Sequence, residues 1–155
     1  MSALQPGKAV PSLKLAATGD KTIDLKDLRG KNVVLYFYPK DSTPGCTTEG
    51  NDFAANHDKF KRLKTVVLGV SRDSVASHEK FRAKYNFPFD LLSDAEERAC
   101  RLFDVIKEKN MYGRKVMGIE RSTFLIDATG KLRREWRKVK VAGHVDEVLA
   151  AVREL

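Results

Sequence analysis

A chain of 155 residues with an apolar content of 42% can bury a sizeable core as one domain, residues 1–155, and no apolar run in it approaches the roughly 20 residues of a membrane span. Two cysteines are too few for a disulfide framework, and the opening MSALQPGKAV lacks the apolar stretch of a secretory signal, so the expected compartment is the cytoplasm. The net charge of +8 leaves an acidic partner such as nucleic acid open.

Pro6, Gly7 and Pro11 predict irregular backbone over residues 1–12. Leu13, Leu15, Ile23, Leu25 and Leu28 fit a strand, a turn at Gly19 and Asp20, and a returning strand or helical turn. Residues 33–38, reading VVLYFY, form the most apolar run, and its shortness and its β-branched and aromatic content predict a buried central strand. After Cys46 a helical pattern begins, with Phe53, Phe60 and Leu63 near one face. Glu49 and Asp52 come early in it and Lys59, Lys61, Arg62 and Lys64 late, an order that complements the helix dipole and predicts about four turns, with Gly50 a weak point. Residues 66–70 predict a second buried strand, and Asp73 or Ser74 then caps a helix with Val75, His78, Phe81 and Tyr85 on one side.

Residues 87–92 read as extended. Asp94 and Glu97 have capping-box spacing and predict a helix with Ala95, Ala99, Leu102 and Phe103 as its apolar stripe. Residues 107–118, rich in Lys, Met and Gly, read as a loop. Residues 122–127 predict a strand that turns through Gly130 into a basic strand. That strand belongs to the densest basic stretch, 131–140, where solvated cations are favoured over a nucleic-acid surface because no nucleic-acid motif accompanies them. Val145, Val148, Leu149, Val152 and Leu155 predict a final amphipathic helix. The order implies an α/β fold, a mixed sheet with helices on both faces, without repeats or linkers.

The chemistry concentrates where the central strand ends. Thr43 can be the N-cap and Pro44 the first helical residue, where its missing N–H costs nothing. Gly45 allows a close backbone approach. Cys46 then lies in the first turn, among unpaired N–H groups and the positive end of the dipole, a position that favours the nucleophilic thiolate. A buried inert cysteine is the usual alternative, but such a cysteine does not require Thr-Pro-Gly before it.

Pro39, Thr43 and Cys46 stand at the spacing of the peroxiredoxin active-site signature, and residues 38–49, YPKDSTPGCTTE, resemble the bacterioferritin-comigratory (Q-type) subfamily. The resemblance runs from residues 7–11 to the final helix. It implies a thioredoxin-like fold and a peroxidase that reduces hydrogen peroxide and organic hydroperoxides through a sulfenic acid at Cys46, with no cofactor and no metal. It also implies that Pro39 shields the thiol and that the Thr43 hydroxyl bonds the thiolate and orients the peroxide, beside their plainer roles as strand terminator and N-cap. Arg121 matches the family's arginine before a late strand, although by itself it reads as a solvated cation. Glu49 either orients an arginine or merely complements the dipole. Tyr38 lines the pocket or packs in the core; Phe53 and Trp136 read as packing. His57, His78 and His144 lack metal-ligand spacing.

A sulfenic acid must be reduced. The two familiar resolving positions carry Asn51 and Arg82. Cys100 remains, and reads as a half-buried packing residue. The expectation is therefore a one-cysteine mechanism with an external thiol (thioredoxin, glutaredoxin or a small thiol) in a monomer. The alternatives are an atypical two-cysteine enzyme with Cys100 resolving, a sensor that passes oxidation to a partner, and, least favoured, a basic nucleic-acid-binding module. A disulfide oxidoreductase would want a second cysteine where Glu49 stands.

Overall fold

The computed structural model describes residues 4–155, so the first three residues of the irregular N-terminal stretch lie outside the described residues. β1 (Lys14–Ala17) and β2 (Lys21–Asp24) form the expected opening hairpin, followed by a 3-10 turn at Leu25–Leu28. The apolar run becomes β3 (Asn32–Phe37). The long helix expected after it is two helices, α1 (Pro44–Ala55) and α2 (His57–Arg62), separated at Asn56, whose side-chain amide donates to the Asp52 carbonyl at 2.9 Å. Gly50 is a packing requirement rather than a weak point: a Cβ there would collide with the Phe87 ring.

β4 (Thr65–Ser71) leads to α3 (Val75–Tyr85), capped by Ser74, whose Oγ accepts from the Ser77 N–H at 3.1 Å. β5 (Asp90–Ser93) follows. The capping box at Asp94 does not form. Glu97 takes a left-handed conformation (φ 60°), the helix is the short α4 (Arg98–Leu102), and the Asp94 carboxylate reaches over it to accept from the Ala99 and Cys100 N–H groups at 3.0 and 2.7 Å. Residues 107–118 are not a loop. They lie within an antiparallel hairpin, β6 (Ile106–Met111) and β7 (Arg114–Ile119), with Gly113 at positive φ in its turn. β8 (Ser122–Ile126), β9 (Leu132–Trp136) and α5 (His144–Arg153) complete the chain; Leu155 falls beyond α5 and is exposed.

The main sheet has seven strands in the order β2-β1-β5-β4-β3-β8-β9, parallel at β3/β4 and β4/β5 and antiparallel elsewhere. This is the mixed, helix-covered α/β sheet expected. Alternation along β3 divides the core: Val33, Leu35 and Phe37 point to one face, Val34 and Tyr36 to the other. The first face packs against Ala99, Cys100 and Phe103 around α4. The second takes Phe53, Phe60, Phe81 and Val148 from α1, α2, α3 and α5, and Cys46 with them. The two cysteines therefore lie on opposite sides of the sheet.

The three arginines of the basic stretch are engaged with their own chain. Arg133 pairs with Asp127 at 3.2 Å, Arg134 stacks on the Trp136 ring at 4.8 Å, and Arg137 donates to the Phe103 and Asp104 carbonyls at 2.8 and 2.7 Å. Among the described residues, no helix is long and apolar enough to cross a membrane.

Candidate active site

β3 delivers the chain into the site. Pro39 follows it and is half-buried, and α1 starts at Pro44 with Thr43 in the N-cap position. The Thr43 hydroxyl does not cap the helix, and it does not meet the thiol. It donates to the Lys40 carbonyl at 2.9 Å, which ties the loop to itself. The Asp41 carboxylate anchors the same loop from beneath: it accepts from the Tyr38 hydroxyl at 2.6 Å and from Ser77 Oγ at 2.8 Å, and it lies 2.7 Å from His78 Nδ1. His78 Nε2 is 2.9 Å from the Leu92 carbonyl, which can only accept, so the ring carries a proton there. Tyr38 and His78 are thus satisfied core residues that hold the loop.

Cys46 is buried, at 1% exposure, and its Sγ accepts from Arg121 Nη2 at 3.4 Å. Arg121 Nη1 donates to Glu49 Oε1 at 2.7 Å. One guanidinium fork thus spans thiol and carboxylate, which α1 presents one turn apart. Gly45 permits the approach, since a Cβ there would stand 3.1 Å from Arg121 Nη2. Glu49 is wholly buried, and its Oε2 has no hydrogen-bond partner among the described residues. Burial pushes its carboxyl up to about 7 against the pull of Arg121. Burial also works against the charge on Arg121, but Glu49 and Cys46 beside it prevail and hold it above its ordinary value. Tyr36, on the same face of β3, is buried, and its hydroxyl has no hydrogen-bond partner among the described residues; burial, then Glu49 and Cys46, raise it well above the usual phenol.

Of the residues singled out from sequence, Cys46, Glu49 and Arg121 converge, with Thr43 and Pro39 in the loop beside them. Cys100 does not join them. It is fully buried rather than half-buried, and burial followed by the Asp94 carboxylate pushes its thiol far up. Sequence reasoning overlooked Lys109, whose ammonium donates to the Ile119 carbonyl near Arg121. It also passed over Tyr36, which period-two alternation from Tyr38 could have placed on the thiol's side. Among the described residues, no three His, Cys, Asp or Glu side chains gather as metal ligands. The arrangement holds a buried sulfur against one arm of a guanidinium whose other arm is fixed by a carboxylate.

The family model described as AhpC/TSA matches residues 6–135. The chain is 57% identical to the Peroxiredoxin Bcp of Xanthomonas campestris pv. campestris, over 91% of this chain and 88% of that one. It is 50% identical to the Peroxiredoxin Bcp of Bacillus subtilis, over 98% and 97%. Among solved structures, it superposes with a TM-score of 0.88 on the Xanthomonas campestris bacterioferritin comigratory protein, at 56% identity over 92% of this chain and 90% of that one. That structure concerns alkyl peroxide reduction and trapped intermediate and ligand complexes.

Proposed function

Because the chain belongs to the AhpC/TSA family, as a peroxiredoxin of the bacterioferritin-comigratory (Q) type, and is a peroxidase, we propose that Cys46 is its nucleophile. The Cys46 thiolate attacks one peroxide oxygen in line. The S–O bond forms as the O–O bond breaks, the other oxygen leaves with a proton as water or alcohol, and Cys46 becomes a sulfenic acid. The observation that carries this reading is the Arg121 fork, 3.4 Å from Sγ and anchored by Glu49 at 2.7 Å. A peroxide oxygen entering beside Sγ meets donors already fixed where charge develops. Thr43 orients the peroxide once its hydroxyl leaves Lys40, and Pro39 keeps water from the thiol. The substrates are hydrogen peroxide and organic hydroperoxides, the latter supported by the alkyl peroxide activity named for the Xanthomonas relative.

The second half-reaction belongs to an external thiol: thioredoxin, glutaredoxin or a small thiol. Supporting this, Asn51 and Arg82 occupy the familiar resolving positions, and Cys100 lies across the sheet from Cys46. A disulfide needs α-carbons within about 7 Å. We further read the whole chain as one catalytic domain, acting as a cytoplasmic monomer; sedimentation of the reduced protein as a stable dimer would overturn the monomer.

The deciding experiment is intact mass after one equivalent of hydrogen peroxide, with and without a sulfenic-acid trap. The expected result is a trappable gain of one oxygen at Cys46. Loss of two hydrogens with Cys46 joined to Cys100 would instead establish a resolving cysteine, and no reaction would remove Cys46 from the mechanism.

A further inference from the structure

We infer that Asp41 and His78 form a buried carboxylate–imidazolium pair that positions the peroxide, by fixing the 39–43 loop and with it Thr43 beside the thiol; this rests on Cys46 being the peroxidatic thiol.

Both ring nitrogens of His78 face acceptors. Nε2 lies 2.9 Å from the Leu92 carbonyl, and Nδ1 lies 2.7 Å from Asp41 Oδ2. A neutral imidazole carries one N–H and satisfies only one of these contacts. A neutral ring would therefore need Asp41 to carry the other proton, against the Tyr38 and Ser77 hydroxyls that donate to its charged form at 2.6 and 2.8 Å. The carboxylate makes the same demand from its own side. Both side chains are buried, and among the described residues no lysine or arginine reaches Asp41. A buried carboxylate without a cation beside it is costly, and a charged His78 supplies that cation. Burial works to raise the Asp41 carboxyl, but the bonds from His78 and Tyr38 prevail and hold it below its ordinary value.

The pair anchors a strained backbone. Ser42, between Asp41 and Thr43, is left-handed (φ 64°), a conformation that a residue with a side chain keeps only where its surroundings hold it. On one side of Ser42 stands Asp41. Its side chain is tied to β3 through Tyr38 and to α3 through Ser77 and His78. Its N–H donates to Asp73 Oδ2 at 2.8 Å, an oxygen that also accepts from Ser71 Oγ at 2.6 Å. On the other side Thr43 enters α1. Thr43 keeps its place only while Asp41 keeps its own, and a loop held in this way needs no ordering when a peroxide enters.

Two measurements test this. The first reads the wild-type chain, 15N-labelled at histidine, at about pH 8, well above the ordinary histidine value of about 6.5. Burial lowers His57 and His144, so both are neutral there, and His78 should be the one imidazolium among the three rings. Three neutral rings overturn the proposal. The second compares two reactions of Cys46. In Asp41→Asn, kcat/KM for hydrogen peroxide should fall roughly 10- to 100-fold, while alkylation by iodoacetamide, which needs no oriented O–O bond, does not slow. In a Thr43→Val background the same substitution should cost no more than about threefold further, since one loop carries both effects. An unchanged peroxide rate, an equal fall in both reactions, or an undiminished further loss in the Thr43→Val background overturns the proposal. Full peroxidase activity in Cys46→Ser would instead remove the Cys46 assignment on which the loop's role rests, and the His78 spectrum is read independently of it.

Discussion

Arg121 and Glu49 form a fixed pair, 2.7 Å apart, in which a buried carboxylate aims a guanidinium at a thiol it does not itself touch. The carboxylate's position one turn along α1 from Cys46 makes the aim rigid, because both come from the same helix. What the pair does for the reaction can be separated from what it does for folding.

Replacing Arg121 by Lys keeps a charge but loses the fork that reaches Cys46 and Glu49 together. The kcat/KM for hydrogen peroxide should fall about 100-fold, the scale of losing a donor to developing charge. Stopped-flow peroxide consumption measures it; a change below threefold would remove Arg121 from the mechanism.

Glu49 is a carboxylate above about 7 and neutral below it. As pH falls through that value, the ion pair to Arg121 weakens and peroxide reduction should decline with it. Glu49→Gln should lose roughly tenfold at pH 8, where the wild type keeps its anchor, and should lack the limb near 7. A pH–rate profile that retains this limb in the variant would assign it to another group.

Gly45→Ala adds a methyl group 3.1 Å from Arg121 Nη2. The guanidinium must yield, so activity should drop about tenfold. Thermal stability should hold or rise slightly, since Ala suits a helix better than Gly by about 0.5–1 kcal/mol. Loss of stability together with activity would point instead to a disturbed helix start.

Cys100→Ala removes a buried sulfur from the face around Phe103. Unfolding in denaturant should show a loss of about 1 kcal/mol. Turnover with an external thiol should be unchanged, and lost turnover with an intact first oxidation step would make Cys100 the resolving residue.

His144 is buried with Nε2 2.8 Å from the Thr123 hydroxyl. Burial, with Arg121 nearby, lowers it to about 4 from an ordinary 6.5. Between those values the unfolded chain binds the proton that the folded chain refuses, so stability falls as pH drops from 6.5 towards 4, by at most about 3 kcal/mol. His144→Gln should flatten this part of the stability profile; an unchanged slope would assign it elsewhere.

How much of this was legible in the sequence depended on range. The apolar run before Pro39, and Thr-Pro-Gly before Cys46, are local patterns and read directly. Arg121 is 75 residues from Cys46, and only the resemblance singled it out. Glu49 read equally well as an acid that merely complements the helix dipole, because its burial depends on α1 packing against the sheet. Thr43 was placed correctly, but its hydroxyl found the Lys40 carbonyl closer to hand. Asp94 and Glu97 had the right spacing, yet Glu97 turned to Arg72 and Arg101 at 2.9 Å each. The hairpin bearing Lys109 was illegible because it lies outside the main sheet, with Met111, Tyr112, Val116 and Met117 exposed. Without one face reliably buried, period-two alternation does not appear.

The sheet between Cys46 and Cys100 also bears on where an oxidising equivalent can go. In the mechanism we propose, the intact sheet keeps Cys100 from Cys46, so each oxidising equivalent taken from a peroxide waits on Cys46 until an external donor arrives by collision. The fraction of spent enzyme then mirrors the balance between peroxide supply and donor supply, and prolonged shortage leaves the sulfur open to a second, irreversible oxidation.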